Sequence, residues 1–301
     1  MRPAALRSLN PLEHADAALV ALGRLLERSG YHFVPPSAET HRRVCKRPRA
    51  DRAHDLRDVF GWNLPFAPGL LSGEMTTALD EAGMLERRGG LLASGVRVAS
   101  VAGRLAYHGA ASGGGPEDVT IVPDAYRCLR FARDQAAPWG RLLALNCGAG
   151  VVPLALADRA TVVILADPRA TALRLCRVNA ALAGVAKVEI VTGDGPRSPA
   201  ADTVLIDLAW AGDAGSAIAA ALLAARAALG RIGQSGRILI HAPAPILAGE
   251  DRLRSALSAL ADEAGARLAY DELETDILGE EIAMAGELDR IAAVGAVLTR
   301  G

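Results

Sequence analysis

Four short stretches of this sequence end an apolar run on groups suited to holding a nucleoside-like ligand. The first is Asn146-Cys147-Gly148-Ala149-Gly150, directly after Leu142–Leu145. Glycines there let the backbone approach a ligand closely and adopt positive φ, and a helix beginning beyond them offers unpaired N–H groups. The next run ends at Ala166-Asp167, where a carboxylate can accept hydrogen bonds from both hydroxyls of a ribose. The third ends at Thr192-Gly193-Asp194, and an aspartate at that tip can accept from an exocyclic amine such as that of adenine. The fourth ends at Ile206-Asp207-Leu208-Ala209-Trp210 and sets an acceptor and a large ring three residues apart. Each feature has a plain structural alternative: a tight turn for the glycines, a helix cap for Asp207, a core aromatic for Trp210. Their recurrence at successive strand ends is what points to a site, because open α/β sheets bind ligands at the carboxyl ends of their strands.

The elements that must position these groups alternate in the sequence. Strands are expected at 141–145, 162–166, 188–192, 203–207 and 237–241, and helices at 152–158, 171–183, 214–229 and 252–265. That rhythm implies a parallel sheet covered by helices on both faces. A last strand at 291–298 follows Tyr270-Asp271-Glu272 at a distance that permits an antiparallel pair.

Upstream, residues 10–30 carry leucines at helical spacing, Ser37 is placed to cap a helix after Pro35-Pro36, a short helix is expected near 56–60, and residues 90–108 alternate like a hairpin or wing. Ser112-Gly113-Gly114-Gly115-Pro116 is the best linker. The expected division is therefore a small, mostly helical domain over 1–112 with a winged-helix flavour, and a ligand-binding α/β domain over 117–301.

Composition narrows the partners. The hydrophobic fraction of 51% supports a large core, and the formal net charge of −1 gives no reason to expect nucleic acid or an anionic membrane. Arginines crowd residues 42–57, but Asp51 and Asp55 interrupt them, so a solvated helix face is the expectation. The four cysteines form no CxxC pair and the six histidines show no metal spacing. No metal is expected, no histidine is assigned a role, and a reducing cytoplasm is the expected location. No signal peptide or membrane span is read.

A nicotinamide dinucleotide fits the loop poorly. Gly148 and Gly150 are followed by Pro153 where the pyrophosphate fingerprint needs glycine, so S-adenosyl-L-methionine, which carries no phosphate, fits better. The sequence resembles the class I S-adenosylmethionine-dependent methyltransferases, in particular a bacterial group with a helical N-terminal domain related to the release-factor glutamine and adenine N-methyltransferases. The likeness lies in Leu56-Arg57-Asp58-Val59-Phe60-Gly61-Trp62-Asn63-Leu64-Pro65-Phe66, Val122-Pro123-Asp124-Ala125-Tyr126-Arg127, Val178-Asn179-Ala180-Ala181-Leu182-Ala183-Gly184 and Asp276-Ile277-Leu278-Gly279-Glu280-Glu281. It implies a Rossmann-like sheet with an antiparallel last strand. It also implies cofactor contacts at Tyr126, Asn146, Cys147, Gly148, Gly150, Asp167, Pro168 and Asp194.

The departures lie at the reacting end. The family's acid two residues before the first loop glycine is Ala144 here, and that glycine is Asn146. The family's Asn/Asp-Pro-Pro-Tyr reads Asp207-Leu208-Ala209-Trp210, keeping the acceptor and the ring but not the prolines. Asp207 and Trp210 are the candidate catalytic residues. The leading expectation is N-methylation of a small amine, with no nucleic acid and no membrane as partner. One alternative is cyclisation of the cofactor's own amino acid to azetidine-2-carboxylate with release of methylthioadenosine, a reaction of natural-product biosynthesis. Another is a non-catalytic binding module.

Overall fold

The computed structural model describes residues 13–48, 50–110, 118–193, 195, 201–210, 212–278 and 287–300. The expected linker at 112–116, Asp194 and Gly279 to Glu281 lie outside these residues. Along the chain come helices α1 (His14–Arg28), α2 (Ala38–Cys45), α3 (Leu56–Phe60) and α4 (Gly73–Glu81), then strands β1 (Leu85–Arg88), β2 (Leu91–Ser94), β3 (Val96–Val101) and β4 (Arg104–Gly109). They are followed by α5 (Pro123–Asp134), β5 (Arg141–Leu145), α6 (Val151–Ala155), β6 (Val162–Asp167), α7 (Ala170–Leu182), β7 (Val188–Thr192) and β8 (Ala201–Asp207). The chain ends with α8 (Ala214–Leu229), β9 (Ile232–Leu247), β10 (Glu250–Asp251), α9 (Arg252–Ala264), β11 (Ala266–Glu274) and β12 (Arg290–Arg300).

The chain divides into two compact units, one of residues 1–123, 148–155 and 168–192, the other of 124–147, 156–167 and 193–301. In the first, α1 buries Leu19, Leu22 and Leu26 at the helical spacing visible in the sequence. Side-chain caps start the following helices: Ser37 accepts from Thr40 N, Asp55 from Asp58 N and Ser72 from Met75 N. The expected single hairpin at 90–108 is in fact two, β1–β2 and β3–β4, because Gly95 breaks the run between them. Helix α4 was not anticipated.

Two buried polar side chains in this unit have close partners. Asp16 is 2% exposed and meets Arg174 Nε at 2.7 Å, tying α1 to α7. Asn179 on α7, also 2% exposed, accepts from Tyr107 N at 2.7 Å and donates from Nδ2 to Tyr107 O and Ala149 O, both at 2.9 Å. One side chain thus satisfies strand β4 and the turn before α6 together.

In the second unit the strands run in the order β11-β12-β9-β8-β5-β6, with β10 folding back on β9. Strands β6, β5, β8 and β9 are parallel neighbours, and β12 inserts antiparallel between β9 and β11. This is the expected Rossmann-like sheet with an antiparallel last strand. The parallel strands are Val/Ile/Leu-rich and buried, as strands covered on both faces must be. Strand β9 extends well beyond the expected 237–241, since Ala242 to Ile246 stay paired with β12. Helix α6 is shorter than expected and passes into a 3-10 turn at Ala157–Arg159. Among the described residues no helix is long and apolar enough to cross a membrane.

Replacing Asn179 by alanine leaves one buried N–H and two carbonyls short of partners. We expect Asn179→Ala to cost about 2–4 kcal/mol, read as a drop in the urea midpoint at unchanged slope. His108 is fully buried, and that burial holds its imidazole well below 6.5. The unfolded chain then takes up a proton first as pH falls below 6.5, so folding stability declines there, by up to about 1.4 kcal/mol per pH unit for this group. His108→Phe is expected to flatten the pH dependence of the urea midpoint between pH 6.5 and 5.5.

Candidate active site

The turn after β5 is shaped by three residues with left-handed backbone: Asn146 (φ 50°), Gly148 (φ 56°) and Gly150 (φ 71°). For asparagine that region is tolerated, and for glycine it carries no Cβ penalty. On the second unit's side, Cys147 N donates to Ala166 O at 3.1 Å, fixing the turn to the end of β6. On the first unit's side, the Cys176 thiol donates to Gly148 O at 3.2 Å, beside the Asn179 bond to Ala149 O. Both anchors come from α7, one turn apart along one face.

The predicted positions fall as follows. Asp167 closes β6 and is fully buried, and its carbonyl accepts from Gly193 N at 3.0 Å. Pro168 follows it and is exposed, as is Asn146; Cys147 is half-buried. Tyr126 lies on α5, half-buried, and burial pushes its phenol up to about 12. Asp207 closes β8 with a side chain 28% exposed, and Trp210, three residues on, is half-buried.

Around Asp207 the structure assembles a cluster that spacing did not reveal. His241 on β9 is completely buried, and its Nδ1 lies 2.8 Å from Asp207 Oδ1. Parallel pairing of β8 with β9 sets the two residues side by side. The Cys128 thiol, from α5, completes a set of three ligand-type atoms within 4.8 Å of one another. Burial, then the Asp207 charge, push that thiol well up, so it stays protonated and can donate to the carboxylate. Next to it Arg127 joins Glu274 (Nε to Oε2, 2.6 Å) to Asp124 (Nη1 to Oδ1, 3.4 Å). Burial raises the Asp124 carboxyl, opposed by His241 and reinforced by Asp207.

Chemically, this is a carboxylate gripped from its buried side with its outer part reachable from solvent. Two donors fix its orientation, and the remaining lone pairs are left for a substrate N–H or O–H. Sequence reasoning found Asp207 but passed over His241 and Cys128. The only signal available was that His241 ends the apolar run Ile238–Ile240 one strand beyond Asp207.

No protein-family model matches the sequence, and no curated protein matches it. Solved structures do. TYW2 of M. jannaschii in complex with AdoMet is 14% identical over 69% of this chain and 87% of that one, with a TM-score of 0.50. TYW2 of P. horikoshii in complex with MeSAdo is 15% identical over 88% of this chain and 100% of that one, with a TM-score of 0.49. The tRNA m1G37 methyltransferase of M. jannaschii is 12% identical over 69% and 57%, with a TM-score of 0.49. At these identities the likeness is one of fold, and the fold is that of the class I methyltransferases. The finding corrects one expectation: a protein of this fold acts on tRNA, so nucleic acid is not excluded as a partner. The whole-chain charge balance was the wrong guide, because a near-zero sum conceals local patches.

The thiols give a direct check on this geometry. Cys128 and Cys176 are buried, whereas Cys45 and Cys147 are half-buried. Under native conditions a thiol-specific reagent followed by peptide mapping should modify Cys45 and Cys147 within minutes. Cys128 and Cys176 should react only on unfolding; fast native labelling of Cys128 would contradict the cluster.

Proposed function

We propose that this protein is an S-adenosylmethionine-dependent methyltransferase that acts on an amine nitrogen, with a small-molecule amine as the first reading. The amine nitrogen of a nucleic-acid base presents the same chemistry and belongs in the same assay. The observation that carries the reading is the Asp207 carboxylate at the end of β8, gripped by His241 at 2.8 Å and open on its outer side.

The residues present fit the cofactor. Asp167 at the end of β6 suits the ribose hydroxyls. The left-handed backbone of Asn146, Gly148 and Gly150 keeps the turn free of bulk where a ligand would approach. Tyr126, Cys147, Gly148, Pro168 and Asp194 complete the proposed contacts. In this reading residues 117–301 form the cofactor-binding domain, and residues 1–112 an N-terminal domain.

S-adenosylmethionine supplies a methyl group on a cationic sulfonium. The acceptor nitrogen displaces it in line, the carbon–sulfur bonding pair stays on sulfur, and the proton lost from nitrogen passes to Asp207 or water. Asp207 accepts a hydrogen bond from the amine and aims its lone pair. His241 and Cys128 act through Asp207 as positioning residues. Trp210 offers an aromatic face to the cation, worth roughly 0.5–2 kcal/mol. Orientation is the main contribution a protein makes to such a step.

One feature favours a second reading. In the resembling family the positions of Ala144, which is buried and uncharged here, and of Asn146, in place of glycine, face the methionine end of the cofactor. A cofactor whose amino group is not tied down there could present that amine to its own γ-carbon, giving azetidine-2-carboxylate and methylthioadenosine. Incubation with S-adenosylmethionine alone separates the two: methylthioadenosine without acceptor supports cyclisation, and S-adenosylhomocysteine formed only with an amine supports methyl transfer. Asp167→Ala should weaken cofactor binding at least about 50-fold by calorimetry, roughly the loss of a charged hydrogen-bonding partner. Asp207→Asn should lower kcat by about 10²-fold while leaving the cofactor Kd within about threefold. An unchanged kcat in Asp207→Asn would remove that residue from the mechanism.

A further inference from the structure

The first unit holds a cavity of about 790 Å³ that plays no part in the chemistry above. Its size suits a ligand with a ring and side groups. Among its lining residues are Arg97, Arg42, Lys46, Asp118, His41 and Trp62; Asn63 and Thr120 are polar as well, and most of the others are apolar. Three permanent cations face one carboxylate.

Arg97 is the telling residue. It sits on β3 with only 6% of its surface exposed. The one hydrogen bond of its side chain among the described residues runs from Nε to Gly109 O at 3.1 Å, and no carboxylate there lies within ion-pair distance of it. Asp118 and the Cys45 thiol are near enough to favour its charge, but burial outweighs them and lowers it to about 10. A buried guanidinium that lines a cavity, with no hydrogen bond to its terminal nitrogens among the described residues, is costly unless an anion joins it. Arg42, already paired with Glu39 at 2.6 Å, and Lys46 add positive charge on the adjoining turn of α2 and just beyond it.

The second component is aromatic. The half-buried Trp62 indole lies 5.6 Å from the His41 ring at a tilt of 37°, and it is braced edge-on by Phe33 at 5.1 Å. A braced, partly exposed indole beside a buried arginine suits a flat ring joined to a phosphate.

We propose that this cavity binds a nucleoside monophosphate unit, with the phosphate on Arg97 and Lys46 and the base against Trp62. The unit can come from a free nucleotide or from a single strand of RNA. The proposal goes beyond the methyl-transfer reading and does not depend on it.

Calorimetry on the full chain tests it with guanosine and uridine 5′-monophosphates, which lack adenine and so do not report on the proposed cofactor site. Both should bind at least 10-fold more tightly than guanosine and than inorganic phosphate. Lys46→Glu and Arg97→Met should each lose at least 10-fold, and Trp62→Leu at least 5-fold, with S-adenosylmethionine binding unchanged. If Arg97→Met fails to fold by circular dichroism, Lys46→Glu and Trp62→Leu decide. A short oligouridylate binding more tightly than uridine monophosphate, and weakening with salt, identifies the RNA strand as the source; equal affinities identify the free nucleotide. The proposal is overturned if neither nucleotide nor RNA binds at millimolar concentration, if guanosine or phosphate alone binds as well, or if the variants bind like the parent chain.

Discussion

The first unit depends on a buried carboxamide. Asn179 is nearly inaccessible, and yet both ends of its side chain are matched: Oδ1 to the N–H of Tyr107, Nδ2 to the carbonyls of Tyr107 and Ala149. A buried backbone group without a partner costs more than a typical hydrogen bond contributes, so this one residue decides whether β4 and the glycine turn can pack against α7. With the Cys176 bond to Gly148 O, it gives a turn rich in positive φ a fixed shape. A turn held this way has its ordering cost already met by the fold.

In the second unit Asp207 is held on one side and partly exposed on the other. Strand pairing supplies the hold: β8 and β9 run parallel in register, so the residues at their ends stand together, and α5 brings the Cys128 thiol to the same place. Asp207 remains reachable while His241 is sealed behind it.

Arg97 and Asp207 make an instructive pair. Asp207 is a charge held by the fold and partly exposed, and Arg97 is a buried charge that lines a cavity. Asp207 has two protein donors, whereas Arg97 keeps its terminal nitrogens uncommitted among the described residues. In both cases the protein leaves an electrostatic demand for something else to meet.

The sequence by itself determined what is local. Apolar runs of strand length, helical leucine spacing, capping residues and acids at strand ends are encoded within a few residues, and α1, α3, β5, β6, β8 and the antiparallel β12 follow from them. It also located Asp167 and Asp207 at their strand ends. Tertiary structure decided what joins distant segments. His241 meets Asp207 across 34 positions, and Asn179 meets Tyr107 across 72. These meetings follow from strand order and helix packing, which no single segment encodes. The same holds for charge: a chain of net −1 still gathers Arg97, Arg42 and Lys46 around one cavity, because folding sorts side chains by place and a sum over composition does not.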